Sequence, residues 1–431
     1  MSLFLGAMRH HIPGRKELTE HVEVKKLLPA KEVYIPLIHG NNTAFDILVE
    51  EGSEVKVGTK LAQTKAGLHV PIYSSVSGTY KGVAKRMHNS LRPQQHMVIE
   101  LDGKQEAIQS FEPKNFEELT REECVAVIKE AGIVGLGGAG FPTHVKYGKV
   151  DGVDTILINA VECEPYITAD YKMIFDNCED LILGCRIMKK MGDVATVYIC
   201  IKESHPDLIE FVKQKCPAGS GIEVRPVPDV YPMGWERVLV REVLKKEYGM
   251  LPSEAGAIVG NASTAIAIAR AFTKGMPITE KYITISGEAI KNPATVCVPV
   301  GMVASEIIAA CGGYTEDSVR IIAGGPMMGR TIVNDQFVVD RAMNAITVLK
   351  HQPDNAIACL RCGRCSDHCP SGLQPVRITA AVKAGNVEEM EKRGAMSCIE
   401  CGLCTYICPS KIDVTENVRK AKRTLMLKKK K

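Results

Sequence analysis

The run Cys359-x2-Cys362-x2-Cys365-x3-Cys369-Pro370 recurs as Cys398-x2-Cys401-x2-Cys404-x3-Cys408-Pro409. Three thiolates at this spacing wrap one corner of an iron–sulfur cubane, and the fourth cysteine of each run reaches the other cluster. The expected ligand sets are Cys359, Cys362, Cys365 and Cys408 for one 4Fe–4S cluster, and Cys398, Cys401, Cys404 and Cys369 for the other. Tetrahedral zinc sites are usually built from two separated ligand pairs. A third cysteine and a trailing proline, each present twice, argue against zinc. Two such clusters side by side relay single electrons and do not themselves catalyse.

The chain holds sixteen cysteines in 431 residues. The other eight, Cys124, Cys163, Cys178, Cys185, Cys200, Cys216, Cys297 and Cys311, lack ligand spacing and read as reduced core residues. The 45% hydrophobic content is enough for proper cores, and the length points to about three domains. The longest apolar runs fall far short of the ~20 residues that span a bilayer. Met1–Met8 is too short and uncharged for a signal peptide, so the expectation is a soluble, intracellular chain. Net charge is +4, yet residues 411–431 carry nine Lys/Arg against two acids. Basicity belongs to the tail, and no nucleic-acid partner is expected.

Composition shifts divide the chain. Residues 1–110 begin irregular and polar, then show short strands at 34–38, 44–49, 61–63, 79–83 and 97–101. Val49–Gly58 and Val76–Thr79 resemble the barrel-sandwich of lipoyl and biotinyl carriers. Gly67 stands where their attachment lysine belongs and Lys65 is displaced, so the fold is expected to serve structurally. Residues 111–277 turn α/β. Thr120-Arg121-Glu122-Glu123 is a capping box, its helix ends near Gly132, and strands are expected at 155–159 and 195–201. The alanine-rich 260–272 reads as a buried helix. Residues 278–352 return to β, as a strand at 282–287 and a strand, turn and helix over 298–313. A cysteine module (353–412) and a basic tail (413–431) follow.

Gly135-Leu136-Gly137-Gly138-Ala139-Gly140-Phe141-Pro142-Thr143 matches G-x-G-x-x-G, with Glu162 and Glu164 some twenty residues on. The dinucleotide fingerprint should follow a strand, whereas a helix precedes this one. No Lys-Ser/Thr follows the glycines, which excludes a Walker A loop. By itself the motif is a glycine-rich loop whose amides can cradle a phosphate, or a structural turn.

Gly135–Thr143 with Lys146 resembles the GRGGAGFPT…K signature of the flavin-binding subunit of respiratory complex I. Asn159–Pro165 resembles its N-A-D-E-S-E-P segment, and Gly260–Thr264 its N-N-V-E-T segment. The resemblance implies non-covalent FMN held by Gly135, Gly137, Gly138, Gly140, Lys146, Asn159, Asn261 and Thr264. It implies a nicotinamide site lined by Phe141 and Glu164, with Glu236 a weaker candidate. Leu136, Val161 and Cys163 replace an arginine, an aspartate and a serine of the family. The third module resembles the β-grasp that follows the flavin domain in that subunit.

Complex I's flavin subunit has one cluster motif after that module, whereas this chain has two. With the carrier-like first domain, the arrangement resembles the C-subunit family of Rnf electron-transport complexes over nearly the whole length. The implied fold is multidomain α/β plus β: barrel-sandwich, flavin/NADH domain, β-grasp and a ferredoxin-like α module. The implied function is a peripheral subunit of a membrane ferredoxin:NAD oxidoreductase, passing electrons between NAD(H), FMN and two 4Fe–4S clusters while the whole complex moves ions. Its partners would be the other subunits, on the cytoplasmic face. Rival expectations are a diaphorase subunit of a soluble hydrogenase or formate dehydrogenase, and a relay subunit without flavin. In the tail, Val414, Val418, Ala421 and Leu425 form an apolar stripe among Arg419, Lys420, Lys422 and Arg423, the pattern of a basic helix for an anionic membrane surface.

Overall fold

A computed structural model describes residues 10–353 and 355–429. Four bodies follow one another, tied by an arm at the start of the chain. Strands Glu32–Pro36, Pro93–Leu101, Gly78–Met87 and Glu54–Val55 form one sheet of a barrel-sandwich, and Phe45–Ile47, Lys60–Thr64 and Pro71–Tyr73 the other. Val33, Ile35, Leu61, Met97 and Ile99 fill the space between them. At the hairpin tip Lys65 pairs with Asp46 at 3.3 Å.

The second body is a parallel sheet in the order Ile222–Val227, Thr196–Lys202, Thr155–Ala160, Ala257–Asn261. Its two central strands are largely apolar, as a sheet covered on both faces requires. Helix Arg121–Glu130 starts at Thr120 with the capping box in place. The expected helix over 260–272 is corrected. Gly260 and Asn261 finish a strand, and the helix is Ala262–Lys274. Asn261 caps it by accepting from the Thr264 amide, and a cap residue takes extended rather than helical backbone.

The third body is a six-stranded mixed sheet, five of its strands from 280–350, with helix Ala304–Ala310 packed on it. Its outermost strand is Lys25–Lys26, pairing with Val296 and Cys297. The opening segment is therefore not free polar chain. It is an arm that crosses the flavin domain to reach this sheet.

The cysteine module repeats one backbone. Arg361, Gly363 and Gly372 have positive φ, and so do Glu400, Gly402 and Lys411, each 39 residues later. Helices Arg364–Asp367 and Pro375–Lys383 recur likewise as Leu403–Tyr406 and Val414–Lys429. Here the membrane-facing tail is corrected. Val418, Ala421 and Leu425 are buried among Leu373, Ile378, Met390 and Ala395, and Val414 is buried too. The apolar stripe closes the module's own core, because helix Pro375–Lys383 presents a matching face. On the other side Arg419 and Lys422 pair with Glu400 at 3.0 and 2.5 Å.

Leu425→Ala should cost the cysteine module about 2–5 kcal/mol and make it shed iron. A chain ending at Lys411 should lose both clusters and keep a folded flavin domain. Iron content and thermal melts of the two variants check this.

Candidate functional site

The order of the parallel sheet reverses at Thr155–Ala160, whose neighbours are Thr196–Lys202 on one side and Ala257–Asn261 on the other. Ligands of open α/β sheets bind beyond the carboxyl ends of the strands at such a switch point. Asn159 and Asn261 are register partners there. The glycine loop lies over them. A Cβ on Gly137 would stand 3.0 Å from Asn261 Nδ2, and the Leu136 amide donates to Thr264 Oγ1 at 2.9 Å. Lys146 donates to the Val259 carbonyl at 2.7 Å and lies 3.8 Å from Glu236. The eight residues expected to hold flavin thus converge on one strand-end crevice.

What they offer is mainly backbone. Gly135 N donates to Phe141 O and Gly140 N to Gly135 O, which closes the loop. Among the described residues, the amides of Gly137, Gly138 and Ala139 find no acceptor. Consecutive free amides form an anion-binding concavity, and the Ala262–Lys274 helix adds its positive end beside it. Gly138 has φ +116° and open space where a Cβ would project, a conformation only glycine takes without strain. A cradle of this kind fits a phosphate. The two asparagine side chains are already committed. Asn159 donates to Gly234 O and accepts from Val161 N, while Asn261 donates to Asp170.

The nicotinamide candidates part company. Phe141 is 42% exposed at the end of the loop. Glu164 is turned to the third body, where its two oxygens accept the amides of Met327 and Met328 at 3.0 and 2.7 Å. Burial pushes its carboxyl up to about 7 against the pull of those amides. Leu136, in place of the family's arginine, is buried in the core.

Three supporting residues went unnoticed in the sequence. Asp170 orients Asn261 and Ser263 by accepting from both. Lys281, from the third body, reaches the Leu136 carbonyl at 3.4 Å. Lys16, in the arm, donates to the carbonyls of Glu162, Glu164 and Ile167. Only the oddity of a charge within an apolar run, as at Asp170 and Lys281, could have flagged them.

In the cysteine module Cys369 sits among the thiols of the second motif. Burial pushes Cys404 up to about 12, and Cys398, Cys369 and Cys365 add to the rise; Cys401 is raised by burial and by Cys404, Cys369 and Cys398. The Ile357 amide donates to Ser410 O and Ser410 Oγ to Ala358 O, which lays the Cys408 segment beside Cys359. The amides of Arg361 and Glu400 donate to Cys359 Sγ and Cys398 Sγ at 3.4 and 3.3 Å. Amide donors to sulfur are what cluster thiolates use, so the module fits two cubanes.

The Cys398 motif faces inward. Tyr231 Oη donates to the Cys401 carbonyl at 2.6 Å, and Ile12, Tyr231, Ile399, Cys401 and Leu403 share an apolar cluster edged by Cys163, Trp235 and Met327. Cys359 and Cys362 are exposed. A cleft of about 1940 Å³ opens between the bodies, walled by Arg15, Arg92, Trp235, Arg330, Cys398 and Arg419; the glycine loop does not line it.

Comparison with known sequences agrees with the four bodies. Residues 9–104 match the RnfC barrel sandwich hybrid domain, 128–270 the Nuo51 FMN-binding domain, 282–331 the SLBB domain and 358–413 a 4Fe-4S dicluster domain. Fold and site together define a flavin- and iron–sulfur-bearing electron-transfer subunit. The C-subunit of the proton-translocating ferredoxin:NAD(+) oxidoreductase complex of Clostridium ljungdahlii is 35% identical over 86% of this chain and 82% of its own. Its counterpart in the Na(+)-translocating complex of Acetobacterium woodii is 34% identical over 98% and 97%, and that of the Rhodobacter capsulatus ion-translocating complex 33% over 89% and 76%. This chain belongs to that family, the RnfC components of the ion-translocating ferredoxin:NAD oxidoreductases. A crystal structure of an NAD+-reducing NiFe-hydrogenase overlays with a TM-score of 0.49 at 16% identity, covering 72% of this chain and 62% of that one.

Cys369→Ser should damage the cluster held by Cys398, Cys401 and Cys404, not that of its own motif. Iron analysis and electron paramagnetic resonance of the variant check it; loss confined to the Cys359 motif would show that the ligand sets are not crossed.

Proposed function

We propose that this protein passes electrons between NAD(H) and the membrane subunits of its complex along a path running from the glycine loop, through the Cys369, Cys398, Cys401 and Cys404 cluster, to the Cys359, Cys362, Cys365 and Cys408 cluster at the surface. The observation that carries the order is the Tyr231–Cys401 contact. It sets the second cysteine motif against the flavin domain, while the first motif presents Cys359 and Cys362 to solvent.

FMN, when bound, exchanges electron pairs with a nicotinamide and single electrons with iron–sulfur clusters. The amides of Gly137, Gly138 and Ala139 and the Ala262–Lys274 helix end are assigned to its phosphate, with Asn159, Asn261, Thr264, Lys146, Gly135 and Gly140 shaping the crevice. Phe141, exposed at the lip, is assigned to the nicotinamide ring. Glu164 is assigned to the same side through the position of its backbone, its carboxylate serving to fasten the third body. The residues bind, orient and exclude water.

Among the described residues no helix is long and apolar enough to cross a membrane. Kinship with the C subunits of ion-translocating complexes is what supports assigning this chain a peripheral position beside membrane subunits, on the cytoplasmic face. The exposed basic side chains of Val414–Lys429, rather than its apolar stripe, are what remain for an anionic lipid surface.

Gly138→Val forces a branched side chain into φ +116° and should give protein with both clusters and no flavin. Retention of stoichiometric FMN would refute the site. Anaerobic NADH titration of the unaltered chain should bleach flavin and cluster absorbance together. A purely brown protein that NADH leaves unchanged would instead mark it as a relay without flavin.

A further inference from the structure

Beyond Ala160 the chain leaves the strand end through two left-handed residues, Glu162 at φ +44° and Tyr166 at φ +68°. Residues with side chains seldom hold such angles unless their surroundings impose them. Here the surroundings are the arm. Lys16 Nζ donates to the carbonyls of Glu162 and Glu164, both at 2.9 Å, and to that of Ile167. An ammonium carries three hydrogens, and these three carbonyls take them all. The residue is only 6% exposed. Around it the Tyr166 amide donates to Gly14 O at 2.7 Å, and Thr19 Oγ1 meets Thr168 Oγ1 at 2.7 Å.

A buried cation is costly unless paired and fully hydrogen-bonded. Carbonyls answer its hydrogens; burial pulls its pKa below the ordinary lysine value, and Glu162, foremost of the groups opposing that fall, favours the charge. Cys163 also touches the apolar cluster around Cys401, and its Sγ stands 3.2 Å from where a Cβ on Gly234 would be, with Asn159 3.6 Å from the same point. The charge is therefore set where the crevice meets the inner cysteine motif, and it comes from a segment outside the flavin domain.

We propose that Lys16 is a positioning residue for electron transfer: it holds residues 162–167 in their turns and supplies a buried positive charge at the junction of the flavin crevice and the inner cluster. A positive charge shielded from water favours the reduced form of any redox centre beside it. The arm thus sets both the shape of the strand-end segment and the potential of the centres on either side. The electrostatic part rests on the flavin reading above; the conformational part does not.

Full-length protein with Lys16→Met, Lys16→Arg or Thr19→Val tests this. Methionine keeps much of the length and removes the charge and donors. Arginine keeps the charge, but its planar fork does not suit three carbonyls converging on a point. Thr19→Val removes one arm contact, to Thr168, and leaves Lys16, its three carbonyls and every charge in place. Hydrogen exchange at 162–168, measured without flavin, should quicken roughly ten-fold or more in both Lys16 variants, as local opening becomes easier, and little in Thr19→Val. In reconstituted protein, spectroelectrochemical titration should show lowered potentials in Lys16→Met alone. Wild-type exchange in Lys16→Met, or an equal fall of potential in Lys16→Arg or Thr19→Val, would overturn the proposal. If Lys16→Met yields no soluble protein, exchange decides between the other two: faster only in Lys16→Arg supports the assignment, equal rates overturn it. Should no variant or parent take up flavin, the exchange result still stands, and the flavin reading is what fails.

Discussion

The turn at Cys401–Gly402 is pressed between two other bodies, and the proposed electron path rests on that closeness. Tyr231 of the flavin domain donates to the Cys401 carbonyl. A Cβ on Gly402 would stand 2.4 Å from the Met327 carbonyl of the third body. With φ +77° as well, Gly402 is doubly required, once by conformation and once by approach. The corresponding glycine of the first motif, Gly363, has the same left-handed backbone yet would meet only Asp367 Oδ2, at 3.6 Å. One sequence repeat therefore yields one buried and one open cluster environment, and only the packing tells them apart.

The Met327–Met328 segment links this contact to the flavin side. Its amides hold the Glu164 carboxylate, and Gly325 is bare because a Cβ would fall 2.3 Å from Glu164 Oε2. The 162–167 segment is thus fastened on one side by the third body through Glu164 and on the other by the arm through Lys16. A buried carboxyl and a buried ammonium are tolerated here because each is hydrogen-bonded to backbone, the condition under which such groups can leave water without a prohibitive cost.

Much of this was legible without coordinates. Period and capping chemistry located helix Arg121–Glu130 and strand Thr155–Ala160, since a Thr-x-x-Glu box and a run of aliphatic residues act locally. The strand before Ala262 was hidden because Gly260 and Asn261 sit in an alanine-rich run, and only pairing with Thr155–Ala160 makes Ala257–Asn261 extended. The tail failed for a similar reason. An amphipathic stripe states that something apolar covers it, and helix Pro375–Lys383 was as good a cover as a membrane.

By itself the sequence determined which segments carry cluster and phosphate chemistry: the doubled cysteine spacing and the glycines of the loop are local patterns dictated by thiolate geometry and backbone freedom. Which cysteine motif faces the flavin domain, what Glu164 holds, and that Lys16 reaches carbonyls 146 to 151 residues away were decided only by the tertiary structure, because buried polar groups and close backbone contacts acquire their meaning from neighbours that no local pattern names.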